Sequence, residues 1–297
     1  MKNFKIYLAT IVLTGLFTAC TGPTHKGNKD KLDVLVSIPP QAELVKAIAK
    51  DKANVASLTT SSVNPETYEP SLNSLVALEN SDIYMPVGTL GFESAMINRI
   101  NESGKSAIIA DMSTGIQRLY GTHEHHDEEA EEHEDHHHGS ADPHIWSSPR
   151  NLLIMVDNIE QALSKADESN SDFYHENAVS LKNHIDSIDK VFKGVTDTLT
   201  CRTFIVWHPS LSYLANDYGL KQLVVGSHGK DMSVKQLHER LDKAVNENVR
   251  VFFFQQEFDS NNASEIQRRT GAEMVTINPM NGDWEKEFKL ITDGLQL

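Results

Sequence analysis

The sequence predicts an α/β protein of two four-stranded parallel α/β lobes joined by a long rigid helix. Three observations lead there. Short runs rich in β-branched and aromatic residues alternate with stretches of helical periodicity, the rhythm of βα units around parallel sheets. That rhythm occurs twice, with four strand candidates on each side of the chain's middle. Between the halves, Leu181, Ile185, Ile188, Phe192, Val195 and Leu199 recur at intervals of 4, 3, 4, 3 and 4, one apolar stripe kept up over several helical turns.

The N-terminus is read as an export signal. Lys2 and Lys5 precede an apolar run from Ile6 to Phe17, too short to span a bilayer as a permanent helix. The run closes on Leu16-Phe17-Thr18-Ala19-Cys20, small residues just ahead of a cysteine. This is the pattern of a bacterial lipoprotein signal peptide, residues 1–19, with Cys20 as the lipidation site; the alternative is an ordinary secretory signal in which Cys20 is incidental. Residues 20–31, polar with two glycines and a proline, form a flexible tether. The mature protein is expected outside the cytoplasm, lipid-anchored to a bacterial membrane at the periplasm or cell surface. With Cys20 lipidated, Cys201 has no partner for an intramolecular disulfide, so the core must hold the fold. About 265 residues remain, enough for two lobes of ordinary domain size.

The N-terminal lobe is expected over residues 32–170, with strands at 33–38, 54–60, 82–87 and 106–110 and helices at 40–50, 71–79 and 92–101. A helix over 151–165 and a polar break lead to the linking helix, 171–199. At 1.5 Å per residue that helix is roughly 40 Å long, and with Gly194 as its single glycine it reads as a stiff rod. The C-terminal lobe, 200–297, has strand candidates at 203–207, 222–225, 249–255 and 273–277 and helix candidates at 211–218, 233–246 and 261–270. Ser233 followed by Gln236 is a capping-box start.

One segment departs from this texture. Residues 123–138 hold seven histidines (His123, His125, His126, His133, His136, His137, His138), eight carboxylates and one alanine. Such a run has nothing to bury and is expected to be a solvated, mobile loop. Imidazole and carboxylate are metal ligands, and imidazole favours zinc, copper and nickel over calcium or magnesium. The formal charge of −15 falls to −7 without the loop's eight acids, and no basic patch stands out, so nucleic acid is excluded as a partner.

In open parallel sheets ligands bind beyond the carboxyl ends of the strands. The segments there are Asn64-Pro65-Glu66-Thr67-Tyr68-Glu69-Pro70, His208-Pro209 and Gln256-Glu257-Phe258-Asp259, and His144 lies just ahead of the central helices. Two histidines and one or two carboxylates, drawn from both halves, can converge in the cleft between the lobes, and zinc takes four such ligands in a tetrahedron. Glu69 could replace Glu66, and Asp259, Asn278 or Asp283 could replace Glu257. His25, His175, His184, His228 and His238 are read as surface residues. His133-Glu134-Asp135-His136-His137 matches the metalloprotease pattern H-E-x-x-H, but without an apolar helix face the match is accidental. No nucleophile elbow, phosphate loop or dinucleotide fingerprint occurs, so the chain is not read as an enzyme.

With these residues in view, the chain resembles the zinc/manganese solute-binding lipoproteins of bacterial ABC transporters, the cluster A-I (cluster 9) family. The resemblance runs from about Lys31 to the C-terminus, on the export signal, N-P-E-T-Y-E-P, the histidine-rich insertion, D-P-H-I-W-S-S-P-R-N and W-H-P-S-L-S-Y-L-A-N-D-Y-G-L. It implies a metal site in the interlobe cleft with His144 and His208 as ligands. The family usually has histidine after the proline of its first segment; here Glu66 stands there, a harder ligand that leans toward manganese while the histidine-rich loop leans toward zinc. Glu257 is the expected fourth ligand. The function implied is capture of Zn²⁺ outside the cytoplasmic membrane and delivery to an ABC transporter permease by a monomer. The alternatives are a manganese-specific member, an extracytoplasmic zinc hydrolase, or a surface metal buffer or adhesin.

Overall fold

Two parallel sheets with the same strand order carry the fold. The structure, a computed structural model, describes residues 31–104, 106–120, 141–226, 233–255 and 263–297. In the first sheet β1 (Leu32–Val36), β2 (Ala53–Ser57), β3 (Ile83–Met85) and β4 (Ile108–Ile109) lie in the order β2-β1-β3-β4. In the second, β5 (Thr203–Val206), β6 (Lys221–Val224), β7 (Val251–Gln255) and β8 (Glu273–Ile277) repeat it as β6-β5-β7-β8. Every residue of β3 and β7 is buried, as expected of inner parallel strands covered on both faces. Strands β1 to β6 stop one to three residues before the runs that predict them, while β7 and β8 end where expected. After Val36 the N–H groups of Ser37 and Ile38 leave the ladder and donate to Gln41 Oε1, both at 3.1 Å.

Around the sheets lie α1 (Pro39–Ala49), α2 (Leu72–Asn80), α3 (Glu93–Ser103), α4 (Pro149–Ala166), α5 (Ser171–Thr198), α6 (Ser212–Asp217), α7 (Val234–Asn246), α8 (Ala263–Thr270) and α9 (Trp284–Gly294). The expected box opens α7: the N–H of Gln236 donates to Ser233 Oγ at 3.2 Å, and the N–H of Ser233 to Gln236 Oε1 at 3.1 Å. Helix α9 is absent from the sequence reading. Its apolar side, Trp284, Phe288, Ile291 and Leu295, is interleaved with charged residues, and its start is marked by Asp283, which accepts from the N–H of Lys286.

The 28-residue α5 packs along α4 and reaches α1 in the first lobe and α9 in the second. Near its start Asn177 Nδ2 donates to the Ile48 carbonyl at 3.0 Å; near its end Phe192 meets the Tyr218 ring at 4.5 Å. The ion pairs Arg150–Asp189, Asp157–Lys182 and Glu160–His175 show that α4 runs antiparallel to it. Helix α4, which the sequence reading places wholly in the first lobe, also bridges: Ser148 Oγ bonds the Asp217 carboxylate, and Arg150 donates to the Asp217 carbonyl at 2.8 Å. The linker is therefore a helix pair.

One apolar cluster runs from Val36 and Met85 through Met155, Ile159, Ile185 and Phe192 to Phe204, Phe253 and Phe288. A hinge between the lobes would have to part this surface, so the relative lobe position is stiff. A second cluster, with Ile205, Leu241, Phe252 and Ile266, fills the outer face of the second sheet. Among the described residues no helix is long and apolar enough to cross a membrane.

Two substitutions in α5 test the rod. Gly194 is exposed with open space where a Cβ would sit, so Gly194→Ala should raise stability by about 0.5–1 kcal/mol through helix propensity. Phe192 is fully buried, and Phe192→Ala should lower stability by about 3–5 kcal/mol. Urea denaturation of both variants measures the two shifts; equal shifts of one sign would refute the assignment of faces.

Candidate metal centre

His144 is placed by its own neighbours. Asp142 Oδ1 accepts from the His144 N–H and lies 2.9 Å from His144 Nδ1, which turns Nε2 toward the cleft. Burial pushes the Asp142 carboxyl upward, but the hydrogen bond and charge of His144 and the Ser212 hydroxyl outweigh it and hold the group below the usual carboxylate range. The segment is pinned from both lobes: Thr89 Oγ1 donates to the Pro143 carbonyl at 3.0 Å, Tyr213 Oη to the Asp142 carbonyl at 3.0 Å, and Trp146 Nε1 to the Pro279 carbonyl at 2.9 Å. The turn carrying Thr89 is itself held by the buried Glu93, whose carboxylate accepts the N–H groups of Val87, Gly88 and Leu90 and the Ser37 hydroxyl. Burial raises the Glu93 pKa against the lowering effect of those donors.

His208 follows β5, between β5 and β7, where the order of the second sheet reverses direction. Gln255, the last residue of β7 and fully buried, clamps its turn. Its Oε1 accepts the His208 N–H at 3.1 Å, while its Nε2 donates to the His208 carbonyl and to Ser210 Oγ. Glu66 comes from the irregular segment between β2 and α2. Asn64 Oδ1 accepts the Glu66 N–H at 2.9 Å, Tyr68 packs edge-on to Phe92 at 4.9 Å, and Thr59 Oγ1 donates to the Ser37 carbonyl at 2.9 Å.

These three segments bring Glu66, His144 and His208 together as a group able to hold a metal ion. His144 Nε2 and His208 Nε2 are 3.3 Å apart, and Glu66 Oε1 lies 3.4 Å from the first and 3.2 Å from the second. Tetrahedral bonds of about 2.0–2.1 Å set neighbouring donors about 3.3–3.4 Å apart, whereas octahedral bonds of that length set them about 2.9 Å apart. The triangle matches tetrahedral bonds of zinc length; octahedral bonds would match it only at about 2.3–2.4 Å, the calcium range. Both histidines are buried, at 4% and 6% exposure, and although the Glu66 side chain keeps 23%, its Oε1 is itself buried.

The remaining candidates are distributed as follows. Glu69 is exposed and outside the group. Asp283 caps α9, and Asn278 bonds the Ser61 carbonyl at 2.9 Å across the cleft. Glu257 and Asp259, the seven histidines of 123–138 with the H-E-x-x-H match, Cys20, His25 and His228 lie outside the described residues. His175, His184 and His238 are exposed, the first two paired with Glu160 and Glu285. Sequence reasoning passes over Asp142 and Gln255. The first has a local signal, an acid two residues before a histidine; the second has none, because its partner is 47 residues away.

Comparison with known proteins gives the same region a context. The family model for zinc-uptake complex component A, periplasmic (ZnuA), matches residues 34–293. The high-affinity zinc uptake system protein ZnuA of Bacillus subtilis (strain 168) is 29% identical over 94% of this chain and 90% of its own length. The zinc-binding lipoprotein AdcA of Streptococcus pneumoniae (strain R6) is 24% identical over 97% of this chain, which spans 57% of that longer protein. A crystal structure of ZnuA superposes with a TM-score of 0.78 at 28% identity, covering 89% of this chain and 97% of the other. A manganese-bound periplasmic metal binding protein from Candidatus Liberibacter asiaticus superposes at 0.75 with 20% identity, covering 89% of this chain and all of the other; that likeness concerns the fold alone.

Asp142 supplies a test of the geometry. Asp142→Asn keeps the shape but removes the charge that orients and enriches the His144 ring, so affinity for a divalent probe such as Co²⁺ should drop about 10–100-fold. Unfolding in the absence of metal should also respond to pH. The folded pKa is depressed below the ordinary 3.8, so the contribution of Asp142 is full above that value and is lost as pH falls through the folded one. The Asn variant should lose that acid-side slope; an unchanged affinity and slope would refute the role.

Proposed function

Because this chain belongs to the family of periplasmic zinc-uptake complex component A, matched over residues 34–293, we propose that it captures Zn²⁺ outside the cytoplasm and delivers it to an ABC permease. The observation that carries this reading is the donor triangle of Glu66, His144 and His208, buried between the two lobes and spaced for a tetrahedral ion. Two imidazoles and a carboxylate are borderline donors suited to zinc. The names of the Bacillus and streptococcal relatives point to the same cargo.

The chain's own groups define how cargo is held. Asp142 keeps the proton of His144 on Nδ1, which leaves Nε2 as the electron-pair donor. Gln255 fixes the backbone of His208, so that ring meets the ion from a rigid turn. Glu66 brings one negative charge, and Glu257, in the segment after β7, is the proposed fourth ligand. With lobes that share a core, capture and release are assigned to the segment bearing Glu66 and to the loops of the second lobe. No bond is broken in this cycle. Cys20 is proposed as the lipid-bearing residue that tethers a monomer to the membrane, and the histidines of 123–138 as weak, fast-exchanging sites that either raise local zinc near the cleft or slow uptake when zinc is plentiful.

Metal content of the purified mature protein tests the assignment directly. The His144→Ala/His208→Ala double variant, in a chain lacking 123–138, should hold no tight zinc while keeping its circular dichroism and thermal transition. A full equivalent retained would place the tight site elsewhere. The pH dependence has a definite sign: imidazole must be neutral to ligate, so affinity should be lost as pH falls toward the ordinary histidine pKa of about 6.5. Calorimetry across that range showing constant affinity would mean the histidines are not ligands.

A further inference from the structure

The donor set is mixed, and its two imidazoles suit zinc. A carboxylate among the ligands favours harder ions such as Mn²⁺, Mg²⁺ or Ca²⁺, which take six or more donors, mostly oxygen. What surrounds the triangle then decides which ions reach their full complement. Besides the two histidines, the cavity is lined by Asn64, Pro65, Trp146, Ser210, Pro279 and Met280. Trp146 and Met280 are buried, at 3% and 2% exposure. Of the polar lining groups, Asn64 Oδ1 already accepts the Glu66 N–H and Ser210 Oγ already accepts from Gln255. Among the described residues, a water entering as an extra ligand would otherwise face indole, pyrrolidine and thioether, a poor match for the two to four polar partners that a buried water requires.

The wall does not yield easily. It belongs to a strap of the second lobe that begins at Asn278 and is held on three sides. Asn278 Oδ1 accepts the Met280 N–H at 3.0 Å, and Asn278 Nδ2 donates to the Ser61 carbonyl, in the segment that carries Glu66, at 2.9 Å. From beneath, the buried Glu287 carboxylate of α9 accepts the Asn278 N–H at 2.7 Å and the Asn281 amide at 3.0 Å. Trp146 Nε1, two residues past His144, donates to the Pro279 carbonyl. The strap is thus tied to the histidine segment, to the glutamate segment and to its own lobe.

We propose that Met280, with Pro279 and Trp146, is the specificity-determining element of the centre: an apolar wall that limits coordination number and so rejects six-coordinate cations despite the carboxylate of Glu66. The proposal rests on the zinc-capture reading and deepens it. Its physical content is exclusion by missing ligands rather than by donor softness. In this account the methionine acts through its bulk, and its sulfur is not a ligand.

The test uses the mature chain and three substitutions at Met280, read by Zn²⁺/Mn²⁺ competition titration and by the visible spectrum of bound Co²⁺. Four-coordinate cobalt absorbs strongly and six-coordinate cobalt weakly. Met280→Asp, which adds a hard donor, should lower the zinc-to-manganese affinity ratio by about tenfold or more and weaken the cobalt bands. Met280→Ala, which admits water, should move both readouts in the same direction. Met280→Leu rebuilds the wall without sulfur and should restore the ratio and the intense spectrum. Asn278→Ala loosens the strap from outside the wall and reads the same effect should a Met280 variant fail to fold. An unchanged ratio and spectrum in the folded Asp and Ala variants overturns the proposal. So does a leucine variant as impaired as the alanine one, since that result would make the sulfur the active group. Failure of the zinc-capture reading shows elsewhere, as zinc binding that survives the loss of His144 and His208.

Discussion

The apolar core that continues through α4 and α5 into both lobes is the constraint on which the rest depends. Glu66, His144 and His208 come from three separate segments, and a donor triangle with edges of 3.2–3.4 Å tolerates little relative motion of its supports. Were the lobes joined by a glycine-rich hinge, each capture would have to order that hinge at the expense of affinity. Here the ordering is done at folding, when Phe192, Ile185 and Met155 are buried. The polar bonds at the seam, Ser148 to Asp217 and Arg150 to the Asp217 carbonyl, tie the start of α4 to the second lobe.

Around that frame the site is built of short tethers between backbone and side chain. Asp142, Gln255 and Asn64 each bond a backbone N–H of the donor segment they support, and Asp142 also holds the ring of His144. Such bonds are individually modest, of order 1 kcal/mol, but they are buried or part-buried, where leaving a partner unmade costs more than at the surface. Glu93 extends the scheme one layer outward: it fixes the turn that carries Thr89, and Thr89 fixes Pro143. Each of the three segments is thus held by bonds that lie outside the triangle itself.

The charge distribution fits a cation cargo. Eight of the chain's 42 acids stand in 123–138, among seven of its 14 histidines, so one short segment concentrates both ligand types. The cleft group of Glu66, His144 and His208 is small and held by its neighbours, whereas 123–138 has no apolar side chain larger than alanine in its sequence.

Much of the architecture was legible in the sequence because it is written in local periodicity. The doubled βα rhythm, the stripe from Leu181 to Leu199 and the capping pair Ser233 and Gln236 each need only neighbouring residues to be recognised. His144, His208 and Glu66 were legible as candidates by their places near strand ends and ahead of the central helices, and the metal character by the histidine-rich run. What escaped was what depends on distant partners. Helix α9 was hidden by charged residues between its apolar ones and is stabilised by packing on α5 and β8. The bridging role of α4 rests on contacts with Asp189 and Asp217, 39 and 67 residues from Arg150.

The choice among carboxylates was likewise a tertiary decision. Glu66 and Glu69 are equivalent in the sequence of N-P-E-T-Y-E-P, but the turn made by Asn64 and the packing of Tyr68 on Phe92 carry Glu66 inward and leave Glu69 in solvent. Asp142 and Gln255 gained their roles, and Met280 its place in the cavity, only when strands far apart in the chain came to lie side by side. Composition and periodicity by themselves determined that this protein has two α/β lobes, a stiff connection and metal-binding side chains, since those properties follow from which residues can be buried. Which atoms meet, and at what spacing, was decided by the shared core, because three-dimensional distance between segments is not encoded in any one of them.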